Sequence, residues 1–307
     1  MYHFIINPNA CSSRGILLWK EIKSVLNKEN VEFNSYITSH SHNATEIARE
    51  ITTIETSKQN IIVILGGDGT LNEVINGITS FKNLIIGYIP TGSSNDFARS
   101  LKLKTKPLEA LECVLHPKQY KKIDYGILRT ENGPKNFIVS AGMGYDASVC
   151  EEANISSAKT FLNKLRLGKL TYATLGIKKL FSYSPEDAEI ILDKTKTIKV
   201  KNMLFTSIHN NRYEGGGFLF CPKADNSDGL LDICVAENIS SLKFLFSLPL
   251  AFFGKHLIIK GVENYRCKEI EIKSTTPRPI HTDGETLQRQ LHISASCGDD
   301  QICIITG

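Results

Sequence analysis

Four times within residues 2–115 a short strand-like stretch gives way to a longer one with helical spacing. YHFIIN (2–7), VEFNSYIT (31–38), NIIVIL (60–65) and LIIGYIP (84–90) read as strands. GILLWKEIKSVLNKEN (15–30), HNATEIAREIT (42–52), TLNEVINGI (70–78) and PLEALECVL (107–115) read as helices. Alternation of this kind, with apolar strands, predicts a parallel sheet covered by helices on both faces. Ligands of such sheets bind beyond the carboxyl ends of the strands. Three polar loops fall at that edge: NPNACSSRG (7–15), GGDGT (66–70) and PTGSSND (90–96).

The rhythm changes near Tyr125. DYGILRT, KNFIVSAG, AEIILD, KTIKVKNMLFTSIHN, GLLDICVAE, KEIEIKST and LHISAS are strand-like, several with period-two alternation. Helical insertions are predicted at Ala158–Phe181 and Leu242–Phe253. The expected fold is an α/β domain over 1–124 followed by a mainly antiparallel β-sandwich domain over 125–296. Within 297–307, QICIIT reads as a strand whose sheet is left open.

At 307 residues, 41% apolar and 22% charged, the chain can bury a core without disulfides or metal. A net charge of +4 is too small to argue for nucleic acid and suits an anionic membrane surface. Eight scattered cysteines without a CxxC pair read as buried thiols of a reducing, cytoplasmic setting. MYHFIINPNA lacks the features of a signal peptide. The most apolar stretch, Leu242–Ile259, is broken by Lys243, Pro249 and Lys255, so no transmembrane segment is expected.

Glycines between a strand and a helix let backbone N–H groups close on a phosphate, which the helix N-terminus also favours. GGDGT fits that use, with Asp68 directed to a metal, a ribose hydroxyl or a base. Thr70 reads as the cap of the following helix and Glu73 as its capping-box partner. Neither GxxxxGK[ST] nor GxGxxG occurs, which excludes a P-loop and the usual dinucleotide fingerprint.

NPNACSSRG, GGDGTLNEV (66–74), PTGSSNDFAR (90–99), GGGFLFCPKADNSDGLLD (215–232) and HTDGE (281–285) occur in that order. Together they resemble the diacylglycerol kinase catalytic family of soluble bacterial lipid kinases, related to sphingosine and ceramide kinases. GGDGTLNEV alone is shared with NAD kinases, which lack the other motifs. The resemblance implies an ATP-dependent enzyme acting on a lipid acceptor at a membrane surface, with Mg2+ accompanying ATP and a homodimer as the family expectation. It assigns Asn7, Pro8, Arg14, Thr38, Gly66, Gly67, Asp68, Gly69, Thr70, Asn72 and Ser93 to ATP. Asp96 corresponds to an aspartate linked to the basic residue of the first loop, here Arg14, and Asp124 to another acidic site residue. Glu285 matches the proton acceptor, with Asp283 as its competitor. An extended backbone would put 283 and 285 on one face, whereas Gly284 equally suits a turn. Asp225, Asp228 and the Leu230 carbonyl match a structural Mg2+ site, and carboxylates so spaced suit a hard cation.

Cys11 replaces the usual loop glycine, and Ser93 replaces a threonine. Leu242–Phe253 and residues 162–181 mix large apolar residues with lysines, which fits either interfacial elements or core helices. His209, His256 and His281 lack ligand spacing and read as structural. An NAD kinase-like enzyme and a non-catalytic nucleotide-binding regulator are the competing readings.

Overall fold

The computed structural model describes residues 1–53, 59–155 and 176–307. They form two compact units, one of Met1–Ile123 with Asp299–Gly307 and one of Asp124–Gly298.

The first unit alternates β1 (Tyr2–Ile6), α1 (Ala10–Ser13), α2 (Gly15–Lys28), β2 (Phe33–Ile37), α3 (Asn43–Thr53), β3 (Asn60–Gly66), α4 (Asp68–Gly77), β4 (Leu84–Pro90), α5 (Asp96–Leu101), α6 (Pro107–Leu115) and β5 (Tyr120–Ile123). Trp19, Ile22 and Leu26 recur at helical spacing on α2 and pack with Phe4, Val63 and Leu65 of the sheet. The sheet order is β2-β1-β3-β4, then β15 (Ile302–Ile305), then β5. Pairing is parallel from β2 to β15 and antiparallel only between β15 and β5. The register sets Ile6 opposite both Ile37 and Leu65, and Leu65 opposite Ile89. Four strands therefore end level, and their exit loops share one edge. The strand left open by the sequence lies between β4 and β5.

The second unit contains β6 (Gly126–Thr130), β7 (Gly133–Phe137), β8 (Ser140–Gly144), α7 (Tyr145–Ile155), β9 (Glu186–Leu192), β10 (Lys196–His209), β11 (Leu231–Glu237), α8 (Ser241–Phe252), β12 (Val262–Cys267), β13 (Glu269–Thr282) and β14 (Glu285–Cys297). Its antiparallel sheet runs β12-β11-β10-β8-β13-β14-β6-β7, with β9 pairing both β10 and β13. The two 14-residue strands are thus joined twice, by β8 at their carboxyl ends and by β9 at their amino ends. Ile190, Ile208, Ile233, Ile272, Ile280 and Ile293 belong to one buried cluster within these strands.

One sequence expectation changes, and two helices are added to it. KNFIVSAG is two strands, because Ile138 and Val139 turn their N–H groups to a side-chain carboxylate rather than to a ladder. α5 starts at the last residue of the PTGSSND loop, and α7 forms where the sequence suggested no element. Most of the Ala158–Phe181 insertion lies outside the described residues, while 176–182 is helical. No described helix is long and apolar enough to cross a membrane.

Ile304, fully buried in β15, tests the dependence of the first sheet on its distant strand. Ile304→Ala should cost about 2–5 kcal/mol and lower the unfolding midpoint in a denaturant titration.

Candidate active site

At the carboxyl edge of the first sheet, Asn7 Nδ2 donates to Thr70 Oγ1 at 2.9 Å, tying the loop after β1 to the first turn of α4. Asn7, Asn9, Thr38, Ser39, Thr70 and Glu73 line a polar pocket of about 270 Å3. Its walls are amides, hydroxyls, the His40 imidazole and one carboxylate, a surface suited to a hydrogen-bonding ligand rather than an apolar one.

The three loop glycines have different reasons to be glycine. A Cβ on Gly66 would lie 2.5 Å from Thr70 Cβ, and one on Gly67 would lie 3.0 Å from the Gly92 Cα. These two serve packing, Gly67 by letting the loops after β3 and β4 touch. A Cβ on Gly69 meets nothing within 4 Å. Packing does not require that glycine, whereas a ligand approaching the backbone would. Two buried oxygens in the neighbouring loop, Thr91 Oγ1 and Asn95 Oδ1, have no hydrogen-bond partner among the described residues. A group supplying donors fits there.

Asp68 Oδ2 accepts the Asp96 backbone N–H at 2.9 Å, and the Tyr88 hydroxyl lies 3.5 Å from Oδ1. Burial, then the charges of Asp68 and Asp96, pushes the Tyr88 phenol well above its ordinary range. It remains a neutral donor. The expected Arg14–Asp96 link is replaced: Arg99, one turn along α5, meets Asp96 at 2.5 Å, while the Arg14 guanidinium is exposed beside Cys11 Sγ. An i,i+3 partner on the same helix reaches Asp96 without bridging loops. The capping box is replaced as well. α4 starts at Asp68 with Gly67 as its cap, Thr70 is taken by Asn7, and Glu73 Oε2 accepts the Ala44 N–H from α3. Asn72 is buried, with Asn76 donating to its Oδ1 at 3.1 Å, and neither Arg14 nor Ser93 lines the pocket. Cys11 occupies the left-handed region at φ 55°, as a glycine would.

In the second unit Asp283 and Gly284 are the two turn residues between β13 and β14, with Thr282 paired to Glu285. Both have positive φ, 47° and 83°, the geometry of a type I′ hairpin for which Asp-Gly is suited. The turn, not an extended backbone, is what forms. The Asp283 carboxylate accepts the N–H groups of Ile138, Val139 and Ser140, each at 2.9 Å. It is the clamp that separates β7 from β8. Glu285 opens β14 and is half-buried.

Asp124 also holds backbone. Its Oδ2 accepts the Gly229 N–H at 2.7 Å, its own N–H donates to Asn226 O at 2.7 Å, and its carbonyl accepts from Asn210 Nδ2 at 2.8 Å. Asn226 Nδ2 in turn donates to Asn211 Oδ1, and Asn211 to Ile138 O. These asparagines were not singled out in the sequence, although the IHNNR run at the exit of β10 carries the signal. In the loop they fix, Asp225 Oδ1 accepts from Ser227, and Asp228 Oδ1 accepts the Leu230 N–H. Arg266 bridges Asp228 and Asp232, both at 3.3 Å. Two carboxylates and a carbonyl are donors of the kind Mg2+ takes, so Asp225, Asp228 and Leu230 fit the ion chemically, with Arg266 sharing Asp228.

A buried polar cluster lies at the carboxyl ends of β10 and β13. His281 Nε2 is 3.3 Å from Asp146 Oδ2 and 3.4 Å from Glu214 Oε1, and His209 Nε2 is 3.2 Å from Glu214 Oε2. Ser207 Oγ donates to the same oxygen at 2.9 Å. Burial opposes charge on Glu214, but His209, His281 and Ser207 outweigh it and bring the carboxyl down to about 2. Burial likewise opposes charge on His281, and Asp146 with Glu214 overrides it, raising the imidazole to about 9. The Gly284 N–H lies 3.3 Å from Nδ1, so the ring sits directly behind the hairpin turn. Glu214 and Asp146 were invisible as a pair in the sequence because only the β8–β10–β13 pairing assembles them.

Residues 1–128 match the diacylglycerol kinase catalytic domain, and residues 138–297 match the YegS C-terminal NAD kinase beta sandwich-like domain. A Bacillus subtilis (strain 168) protein, YtlR, provisionally named a lipid kinase, is 30% identical over 289 residues, 93% of each chain. This chain belongs to the diacylglycerol kinase family. Within that family of lipid kinases, the diacylglycerol kinase of Mycobacterium tuberculosis (strain H37Rv) is 30% identical over 227 residues, 73% of this chain and 70% of that one. Among solved structures, a Bacillus anthracis str. Sterne protein provisionally titled a diacylglycerol kinase has a TM-score of 0.77 at 22% identity, covering 100% of this chain and 95% of its own. An NAD kinase from Archaeoglobus fulgidus, solved in complex with ATP, has a TM-score of 0.54 at 10% identity, covering 100% and 94%. The diacylglycerol kinase family thus shares its fold with NAD kinase.

The His281 cluster predicts a pH dependence of stability. An imidazole raised from 6.5 unfolded to about 9 folded stabilises fully below pH 6.5, and that contribution disappears as pH rises through 9. Its size is about 3 kcal/mol. His281→Gln should therefore be strongly destabilised at pH 6, with the gap to wild type closing by pH 9.5 in parallel denaturant titrations. A constant gap across that range refutes the assignment.

Proposed function

We propose that this chain transfers the γ-phosphate of ATP to the free hydroxyl of a membrane lipid, with diacylglycerol as acceptor and phosphatidic acid as product. The observation that carries the reading is the level edge of the first sheet, where the Asn7–Thr70 bond, open-sided Gly69 and the Asp68–Asp96 bond lie in a chain of a lipid kinase family. On this reading the α/β unit takes ATP and the β-rich unit takes the lipid. The ATP contacts are Asn7, Pro8, Arg14, Thr38, Gly66, Gly67, Asp68, Gly69, Thr70, Asn72 and Ser93. The fold shared with an ATP-bound NAD kinase supports ATP as the donor.

A lipid hydroxyl is a weak nucleophile, and its proton must leave as the new O–P bond forms. Asp283 already accepts three backbone N–H groups, so Glu285 is the better placed of the two to take that proton. The hydroxyl oxygen attacks the γ-phosphorus, the bond to the bridging oxygen breaks, and ADP departs. Asp68 and Asp96 act on the nucleotide side, while Asp124 holds the 225–230 loop through Gly229 and Asn226. Mg2+ bound with ATP would offset charge on the phosphates during transfer. A second, structural Mg2+ is assigned to Asp225, Asp228 and the Leu230 carbonyl. A cytoplasmic enzyme that visits the membrane surface as a homodimer completes the reading.

Labelled γ-phosphate should pass from Mg-ATP to a component of a total lipid extract that co-migrates with phosphatidic acid, and Asp68→Ala should abolish the transfer. Label on NAD instead of lipid would overturn the proposal. Glu285→Gln should lower kcat by at least about 100-fold with little change in ATP affinity or unfolding temperature. Asp283→Asn should instead lose stability as well as activity, because an amide accepts at only one atom. An active Glu285→Gln enzyme would reverse the choice of base.

A further inference from the structure

α8 and the turn after it present an apolar ridge that stands exposed among the described residues. Phe244, Ser247 and Ala251 occupy one side of the helix and are buried. Phe244 packs edge-on against Tyr145 and Phe205. About half a helical turn away, Leu242, Phe246 and Phe253 recur along the opposite side. Phe246 is 76% exposed, Phe253 74% and, in the following turn, Ile258 78%. Phe252, also exposed, continues the ridge onto Phe218, their ring centroids 4.0 Å apart. Single exposed apolar residues are ordinary, but contiguous large ones mark an interaction surface.

Charge identifies the occupant. From Ser240 to Gly261 the chain has three lysines, 243, 255 and 260, and no aspartate or glutamate. All three lysines are exposed, and Lys243 Nζ donates to the Lys260 carbonyl at 2.8 Å, which draws the two positions together. The helix has 12 residues with Pro249 inside it, too few to span a bilayer. Apolar side chains in a segment whose only charges are lysines match a bilayer with anionic headgroups, where rings enter the acyl boundary and ammonium groups meet phosphates.

We infer that the ridge formed by Leu242, Phe246, Phe253 and Ile258, with Lys243, Lys255 and Lys260 around it, is the face on which this protein docks to an anionic phospholipid surface. The inference deepens the proposed function, resting on it for the identity of the acceptor, and gives that acceptor a route from the membrane.

Co-sedimentation with vesicles of phosphatidylcholine and phosphatidylglycerol tests it, alongside phosphorylation of a short-chain diacylglycerol kept below its aggregation limit. Wild type should bind the mixed vesicles and release at high salt. Phe246→Ser/Phe253→Ser/Ile258→Ser and, separately, Lys255→Glu/Lys260→Glu should each bind at least tenfold more weakly. Both should retain wild-type unfolding temperatures and turnover of the soluble acceptor. Vesicle binding that is absent in wild type, or undiminished in both variants, overturns the docking face, even where the soluble acceptor is phosphorylated normally. A change from dimer to monomer in the apolar variant with vesicle binding intact also overturns it, in favour of a contact between copies of this chain. Binding that falls as expected while no lipid is phosphorylated in either form supports the docking face and refutes the proposed function.

Discussion

The parallel pairing of β3 with β1 on one side and β4 on the other is the constraint on which the candidate site depends. Because Ile6, Leu65 and Ile89 are held in register, three chain segments far apart in sequence leave the sheet at one level. A one-residue slip would turn the buried strand faces outward. The bonds that finish the edge, Asn7 to Thr70 and Asp68 to the Asp96 N–H, span 63 and 28 residues of sequence and are possible only in that register. Close contact between Gly67 and Gly92 follows from the same alignment.

In the second unit carboxylates do structural work that a β-sheet alone cannot. Asp283 satisfies three N–H groups where the chain leaves one strand for the next, and Asp124 with three asparagines does the same for the 225–230 loop. Buried backbone groups that miss a ladder must be paired in some way. Backbone can thereby be fixed without a packed apolar layer, and Glu285 follows a turn whose shape is set by its neighbours.

Much of this was legible in the sequence. Apolar strands alternating with amphipathic helices indicated the first sheet, and period-two stretches indicated the β-rich second unit. The ordered motifs pointed to the family before any geometry was known. What escaped depends on contacts across long sequence separations. Arg99, rather than Arg14, neutralises Asp96 because a helix forms at Asp96 that no apolar periodicity announces. Thr70 looked like a helix cap because capping is local, but the partner it meets, Asn7, comes from another strand. The His281–Glu214–Asp146 cluster is assembled by strand pairing among β8, β10 and β13, and spacing along the chain carries no trace of it.

The place of β15 bears on how the protein is made. Its sheet needs a strand encoded after residues 124–301, so through the synthesis of the whole second unit β4 waits with one edge unpaired and β5 with no strand partner. During that interval the nascent chain carries an open sheet of apolar strands, the kind of surface that invites pairing with other chains. Completion of the first unit therefore waits until the second has been synthesised, and a chain interrupted between residues 298 and 302 would carry a whole second unit with a first sheet that remains sticky.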